Sequence, residues 1–258
     1  FAVNINYPAM PNNEGMLTGL SWSIMDMVAA GDHLYVIEAT EHGLQVIDVS
    51  DRRDLQYVTW LDLPTFGGQA CVEGDHLYVA NASAGLQVVD IATPASPSIV
   101  GSYDTFSARD VAVTGATVLL LDSTDGLLLL DVGDPTTPAL LGQMTLPGDA
   151  RAVTVSGDLA YVALDMAGVV VVDISDPAAS PVLHRPVEGE LYSGDIFTVA
   201  TRDGVFYTSV VDGVLIGGIG AIDLSDPANP IPASTVETSE PIRNRQHPMR
   251  RSSPASQR

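Results

Sequence analysis

Five short apolar segments, MDMVAAG, QACVEG, RDVAVTG, RAVTVSG and FTVATRDG, align so that Asp26, Gln69, Asp110, Ala152 and Thr198 share one level. Arg109 and Arg151 stand one residue earlier in their copies. Carboxylate, amide and guanidinium groups gathered at one level around an axis would bind a small polar ligand through charge pairing and directed hydrogen bonds. Solvated rim residues would give the same pattern, because polar side chains at strand ends are ordinary. A second candidate set lies in PVEGELYSGD, residues 186–195, a connection longer than its counterparts that carries Glu188, Glu190, Tyr192 and Asp195. Functional side chains concentrate on loops longer than their framework requires. If this connection passes near the axis, its acids face Arg109 and Arg151, and one pocket gains both signs of charge.

Other reactive residue types are weaker candidates. Asp122, Asp125 and Gly126 in LDSTDG open like a calcium loop, but position 133 is Gly where that loop needs a bidentate Glu. The matching stretches EATEHG, NASAG and LDMAG repeat no such carboxylates, which favours a polar hairpin tip. His33 and His76 take the same place in two copies of GDHLYV, too far apart for a local ligand pair, and fit half-exposed hairpin positions beside a buried Tyr. Cys71 is the single cysteine, so an intramolecular disulfide and any multi-Cys metal site are excluded, and it reads as a small buried hydrophobe. No GxSxG, HExxH, SxxK or Walker pattern occurs. The sequence therefore implies no catalytic residue, no metal site and no cofactor.

Composition narrows the partners. The 258 residues carry 32 acids against 11 bases, a net charge of -21, and every base is Arg. Such a surface repels phosphate backbones, which argues against nucleic acid. No apolar run approaches the roughly 18 residues of a transmembrane segment. The chain opens on Phe1 without a charged and then apolar leader, as a mature form or a fragment would.

The elements that must position these residues follow from an internal repeat. An apolar anchor recurs at Tyr35, Tyr78, Leu119, Tyr161 and Tyr207, spaced 41 to 46 residues apart. An Asp closes the next apolar run at Asp48, Asp90, Asp131, Asp173 and Asp223, and Gly43, Gly85, Gly126, Gly168 and Gly218 each stand five residues before it. Turn signals divide every unit into four short strands. The third strand is an unbroken apolar run in several copies, such as LLLLD and VVVVD, and must be covered on both faces. The Asp at its end, with Asp51, Asp134, Asp176 and Asp226 in the following turn, is suited to accept nearby main-chain N–H bonds. Four strands about every 42 residues, with buried middle strands, predict an all-β fold: a β-propeller with five recognisable four-stranded blades. Val46, Val88, Leu129, Val171 and Ala221 should be equivalent buried positions.

The phrases GLQVIDVSD, GLQVVDIATP, GLLLLDVGDP and GVVVVDISDP, preceded by GDHLYV or GDLAYV, resemble the LVIVD repeat of bacterial and archaeal surface or secreted proteins. The resemblance covers roughly residues 22–237. It implies propeller blades, an extracellular or cell-surface location and no common enzymatic activity. The fifth copy departs from the pattern, with Gly217, Gly218 and Gly220 in its third strand and a longer span from Tyr207 to Asp223.

This divides the chain into a head at 1–21, repeats at 22–240 and a tail at 241–258. The head is an extension or the outer strand of a preceding blade, so the ring either closes with five blades or belongs to a larger propeller. Residues 243–258 hold five Arg and no acid, a polar composition expected to be disordered. The functional expectation is a non-enzymatic scaffold or recognition module, taking a protein or a small polar or carbohydrate ligand at the propeller axis. The alternative is an extracellular hydrolase or lyase whose site assembles from inter-blade loops.

Overall fold

A strand that is apolar on consecutive residues is stable only with a layer on each side of its sheet. The computed structural model of the chain supplies those layers by stacking sheets. It describes residues 2–3, 13–15, 23–39, 43–164, 168–177, 179, 182–184, 195–202, 205–212 and 216–237. A two-stranded pair, β1 (Ala2–Val3) and β2 (Asn13–Gly15), comes first. The first large sheet holds β3 (Ile24–Ala30), β4 (His33–Glu38), β5 (Leu44–Asp48) and β6 (Gln56–Leu61). The second holds β7 (Ala70–Glu73), β8 (His76–Ala80), β9 (Leu86–Asp90) and β10 (Ser98–Tyr103). The third holds β11 (Ala108–Thr114), β12 (Thr117–Asp122), β13 (Gly126–Asp131) and β14 (Ala139–Met144). The fourth holds β15 (Ala150–Ser156), β16 (Leu159–Leu164), β17 (Gly168–Asp173) and β18 (Val182–His184). The fifth holds β19 (Asp195–Arg202), β20 (Val205–Asp212), β21 (Ile216–Asp223) and β22 (Ile231–Glu237).

Each large sheet is an antiparallel meander in chain order, and no helix occurs among the described residues. The repeat is preserved in the register: Tyr35 opposes Val46, Tyr78 opposes Val88, Leu119 opposes Leu129, Tyr161 opposes Val171 and Tyr207 opposes Ala221. All five predicted core positions are buried. First strands of successive sheets lie side by side, β3 by β7, β7 by β11, β11 by β15 and β15 by β19. Among the described residues no comparable packing returns from the fifth sheet to the first. The arrangement is a run of propeller-like blades.

The core sits between sheets. Tyr35, Ile37 and Val46 pack on Leu77, Val79 and Val89; Tyr78 and Val88 pack on Val118, Leu120 and Leu130. Leu119 and Leu129 meet Val162 and Val172, and Tyr161 and Val171 meet Phe206 and Ile222. Full burial of one such side chain stabilises by about 1.5–3 kcal/mol. The fifth anchor departs from the rule: Tyr207 is 40% exposed, against 1% for Tyr35 and 3% for Tyr78 and Tyr161. Its face has no sixth sheet among the described residues. The glycine that opens the third strand is also explained at Gly85, where φ is +68° and a Cβ would run into the main chain of Tyr103 and Thr105.

The expected cost of Tyr78→Ala is about 3 kcal/mol or more, because its ring fills an inter-sheet contact that cannot fully collapse. Tyr207→Ala should cost under about 1 kcal/mol. Equilibrium urea unfolding of both variants checks the contrast, and equal costs would show that burial between sheets does not distinguish the two.

Candidate functional site

The level predicted to line an axial site is a β-bulge. Pairing of the first strand with the second slips between Ile24 and Asp26, between Ala108 and Asp110, and between Ala150 and Ala152. Met25, Arg109 and Arg151 are the extra residues. A bulge bends its strand and disturbs the ladder, leaving main-chain N–H groups that need another acceptor. Asp supplies it in alternate sheets. Asp26 Oδ1 accepts from its neighbour Met27 at 2.8 Å while Oδ2 accepts from Ala70 of the second sheet at 2.9 Å. Asp110 repeats the device, with Oδ1 accepting from Val111 at 2.8 Å and Oδ2 from Val153 of the fourth sheet at 2.7 Å. Gln69 at the equivalent place in the second sheet donates weakly back to the Met25 carbonyl at 3.4 Å.

These three residues, expected as ligand contacts, thus tie neighbouring first strands together. Asp110 is buried, and burial pushes its carboxyl up to about 6. The two main-chain N–H groups act against that rise, and the charge of Asp26 adds to it. Cys71 packs beside Tyr78, and its thiol is pushed up by burial first and then by Asp110, Asp26 and Glu73. It is a poor nucleophile there.

Arg109 and Arg151 do come together, through a residue that sequence reasoning missed. Asp149, in the connection before β15, accepts from Arg109 at 2.8 Å and lies 3.6 Å from Arg151. Arg109 also donates to the Ala150 carbonyl at 3.3 Å. The available signal was the spacing GDAR, which puts an acid two residues before Arg151 on a connection that begins a first strand. All three side chains are part-exposed and can meet a solute. Glu188, Glu190 and Tyr192 lie outside the described residues. Asp195 is the first residue of β19.

The same end of the stack carries the second-to-third hairpins and the inter-sheet connections, held in the first three sheets by buried polar residues at the end of the second strand. Glu38 accepts from Gln45 at 2.9 Å. Asn81 is fully buried and clamps the next connection: its carboxamide donates to the Thr65 and Phe66 carbonyls and its side-chain oxygen accepts from the Thr65 N–H. Asp122 accepts from Ser107, Thr124 and Asp125, and those N–H groups hold its carboxyl below the usual range despite burial. The LDSTDG stretch is accordingly a hairpin clamp, and no group of acids, His or Cys spaced for a metal occurs among the described residues.

At the opposite end the acids behave as turn formers. Asp48, Asp90, Asp131, Asp173 and Asp223 each accept from the main-chain N–H two residues on, at 2.8 or 2.9 Å. Asp51, Asp134 and Asp226 do likewise in the turn that follows. His33 and His76 are half-buried beside Tyr35 and Tyr78.

The LVIVD repeat profile matches residues 23–57, 67–105, 107–145 and 147–187. The chain belongs to the LVIVD repeat family. The four matches coincide with the first four sheets of this LVIVD-repeat protein, and the departing fifth copy lies beyond them. No curated protein matches the chain. Among solved structures it is similar to U3-55K, at 12% identity and a TM-score of 0.68, over 87% of this chain and 69% of that one. It is similar to the computationally designed Ika8 protein at 14% identity and a TM-score of 0.62, over 82% of this chain. The chain spans 61% of Ika8, somewhat under two thirds of its length. A chain in the crystal structure of a nidogen/laminin complex matches at 13% identity and a TM-score of 0.55, over 79% of this chain and 75% of that one. At these identities the likeness is one of fold.

Asp110 sets a pH dependence. Its folded pKa lies above the roughly 3.9 of an unfolded Asp, so the stability it contributes is full below that value and is lost as pH rises through about 6. From pH 7.5 to pH 5 the protein should gain on the order of 1 kcal/mol from this group. Urea unfolding at the two pH values, with and without Asp110→Asn, isolates it: the variant should lose that gain, and an unchanged pH slope would refute the assignment.

Proposed function

We propose that this LVIVD-repeat protein is a non-enzymatic recognition scaffold of a cell-surface or secreted protein, part of a propeller whose partner docks at the connection end of the sheets, around the axis. The observation that carries this reading is the fate of the first-strand carboxylates. Asp26 and Asp110 spend both oxygens on main-chain N–H groups of two adjacent strands. A carboxylate so engaged serves the stack, and using it as a general acid or base would break an inter-sheet bond. Arg109, Asp149 and Arg151 are among the charged groups that this end offers to a partner.

One observation favours the hydrolase or lyase alternative: Asp110, with its raised pKa, has Asp26 close enough to act on it. Geometry weighs against it, because Asp110 is buried and each of its oxygens already accepts from a main-chain N–H.

Two measurements test the proposal. A photo-reactive amino acid placed at Arg151 should capture a partner in the source cells, whereas one at Asp75, on the opposite end, should not; capture confined to Asp75, or none at either, refutes docking at this end. Trypsin added to intact cells should cleave at the exposed pair Arg52 and Arg53. Cleavage only after lysis would refute the surface or secreted placement.

A further inference from the structure

Two exposed phenylalanines stand at the connection end on hydrogen-bonded main chain. Phe66 is 67% exposed and Phe106 80% exposed, and each follows a Thr in the connection entering a new sheet. Free exposure of two large rings is unfavourable, yet the main chain beneath them is locked. Thr65 Oγ1 donates to the Asn81 carbonyl at 2.6 Å and its N–H donates to the Asn81 side chain. Thr105 is buried beside Asp122, whose carboxylate takes the Ser107 N–H at 2.7 Å.

Both connections flank one hairpin, residues 81–85. The first connection is clamped to its Asn81. The second lies against its Gly85 and bonds from the Ala108 N–H to the Ala82 carbonyl at 2.9 Å. Ala82 has φ of +46°, the one non-glycine residue in the left-handed region among those described. A pocket of about 630 Å³ opens between this hairpin and the first connection, lined by Ala39, Leu63, Pro64, Phe66, Ala82 and Ser83. Its walls are mostly apolar, with Thr65 and Ser83 as the polar members, and acids stand close by in sequence. Asp62 precedes the first connection and Asp104 the second, both exposed, and no Arg or Lys occurs in residues 62–66, 81–85 or 103–107.

We propose that this surface binds a polypeptide segment that pairs a large apolar side chain with an adjacent Arg or Lys. The apolar side chain enters the pocket beside Phe66, Phe106 covers its flank, and the cation meets the nearby acids. Charge complementarity selects this occupant: a chain of net charge -21 attracts a basic segment and repels a second copy of its own acidic body. Aromatic anchors on hydrogen-bonded main chain bind at a low ordering cost. The inference deepens the recognition reading and rests on it.

Panning a random peptide library on the whole chain tests it. Selected peptides should carry Leu, Ile, Phe or Trp next to Arg or Lys. Their affinity should fall at least about tenfold for Phe66→Ser and for Phe66→Ser/Phe106→Ser, with unfolding midpoints held near wild type because both rings are exposed. Asp104→Asn should weaken binding about threefold at low salt and not at high salt. Peptides of other composition, affinities indifferent to the Phe variants, or no selected peptide overturn the proposal. If any of these coincides with partner capture at Arg151, the recognition reading stands while this site fails; a glycan that binds in place of peptides has the same meaning.

Discussion

Burial of the middle strands on both faces is the constraint on which the rest depends. Leu119, Leu120 and Leu121 are consecutive and all fully buried. Side chains alternate across a strand, so such a run is stable only if a sheet lies on each side. One four-stranded meander of this sequence would leave half its apolar surface in water. Neighbours therefore stabilise one another, in the manner of nearest-neighbour repeat proteins. The exposed Tyr207 marks where this support ends among the described residues.

Stacking also explains the placement of polar groups. First strands of neighbouring sheets run side by side without a shared ladder, and their bulges leave N–H groups to be satisfied. An Asp that accepts from its own neighbour and from the matching position one sheet on resolves both at once, as Asp26 and Asp110 do. Burying Asp110 costs enough to raise its pKa, yet losing it would strand two donors. The two ends of the stack divide the remaining work. Asp-closed turns occupy one end, and the other carries clamped connections with charged and aromatic side chains held toward solvent.

Much of this architecture was legible in the sequence because period, glycines and turn acids are local signals. Tyr35 and its counterparts declared the anchors, and the Asp ending each third strand declared its own turn. The alignment brought Asp26, Gln69 and Asp110 to one level but could not show the bonds they make between sheets. Their acceptors and donors lie across a sheet boundary, 44 and 43 residues away for Asp26 and Asp110, and no local pattern shows such a bond. The burial of Asn81 and Asp122 escaped for the same reason, since a polar residue at a hairpin tip looks exposed until the connection that covers it is placed. Arg109 and Arg151 were expected to meet acids of the 186–195 connection, and the structure places Asp149 between them.

Amide hydrogen exchange of Val153 tests most directly whether inner-strand carboxylates bind the sheets together. In Asp110→Ala the Val153 N–H, left without its acceptor, should exchange on the order of tenfold faster or more, while the Ala70 N–H, held by Asp26, keeps its wild-type rate. An unchanged Val153 rate would contradict the account, because Asp110 would then be carrying no inter-sheet bond.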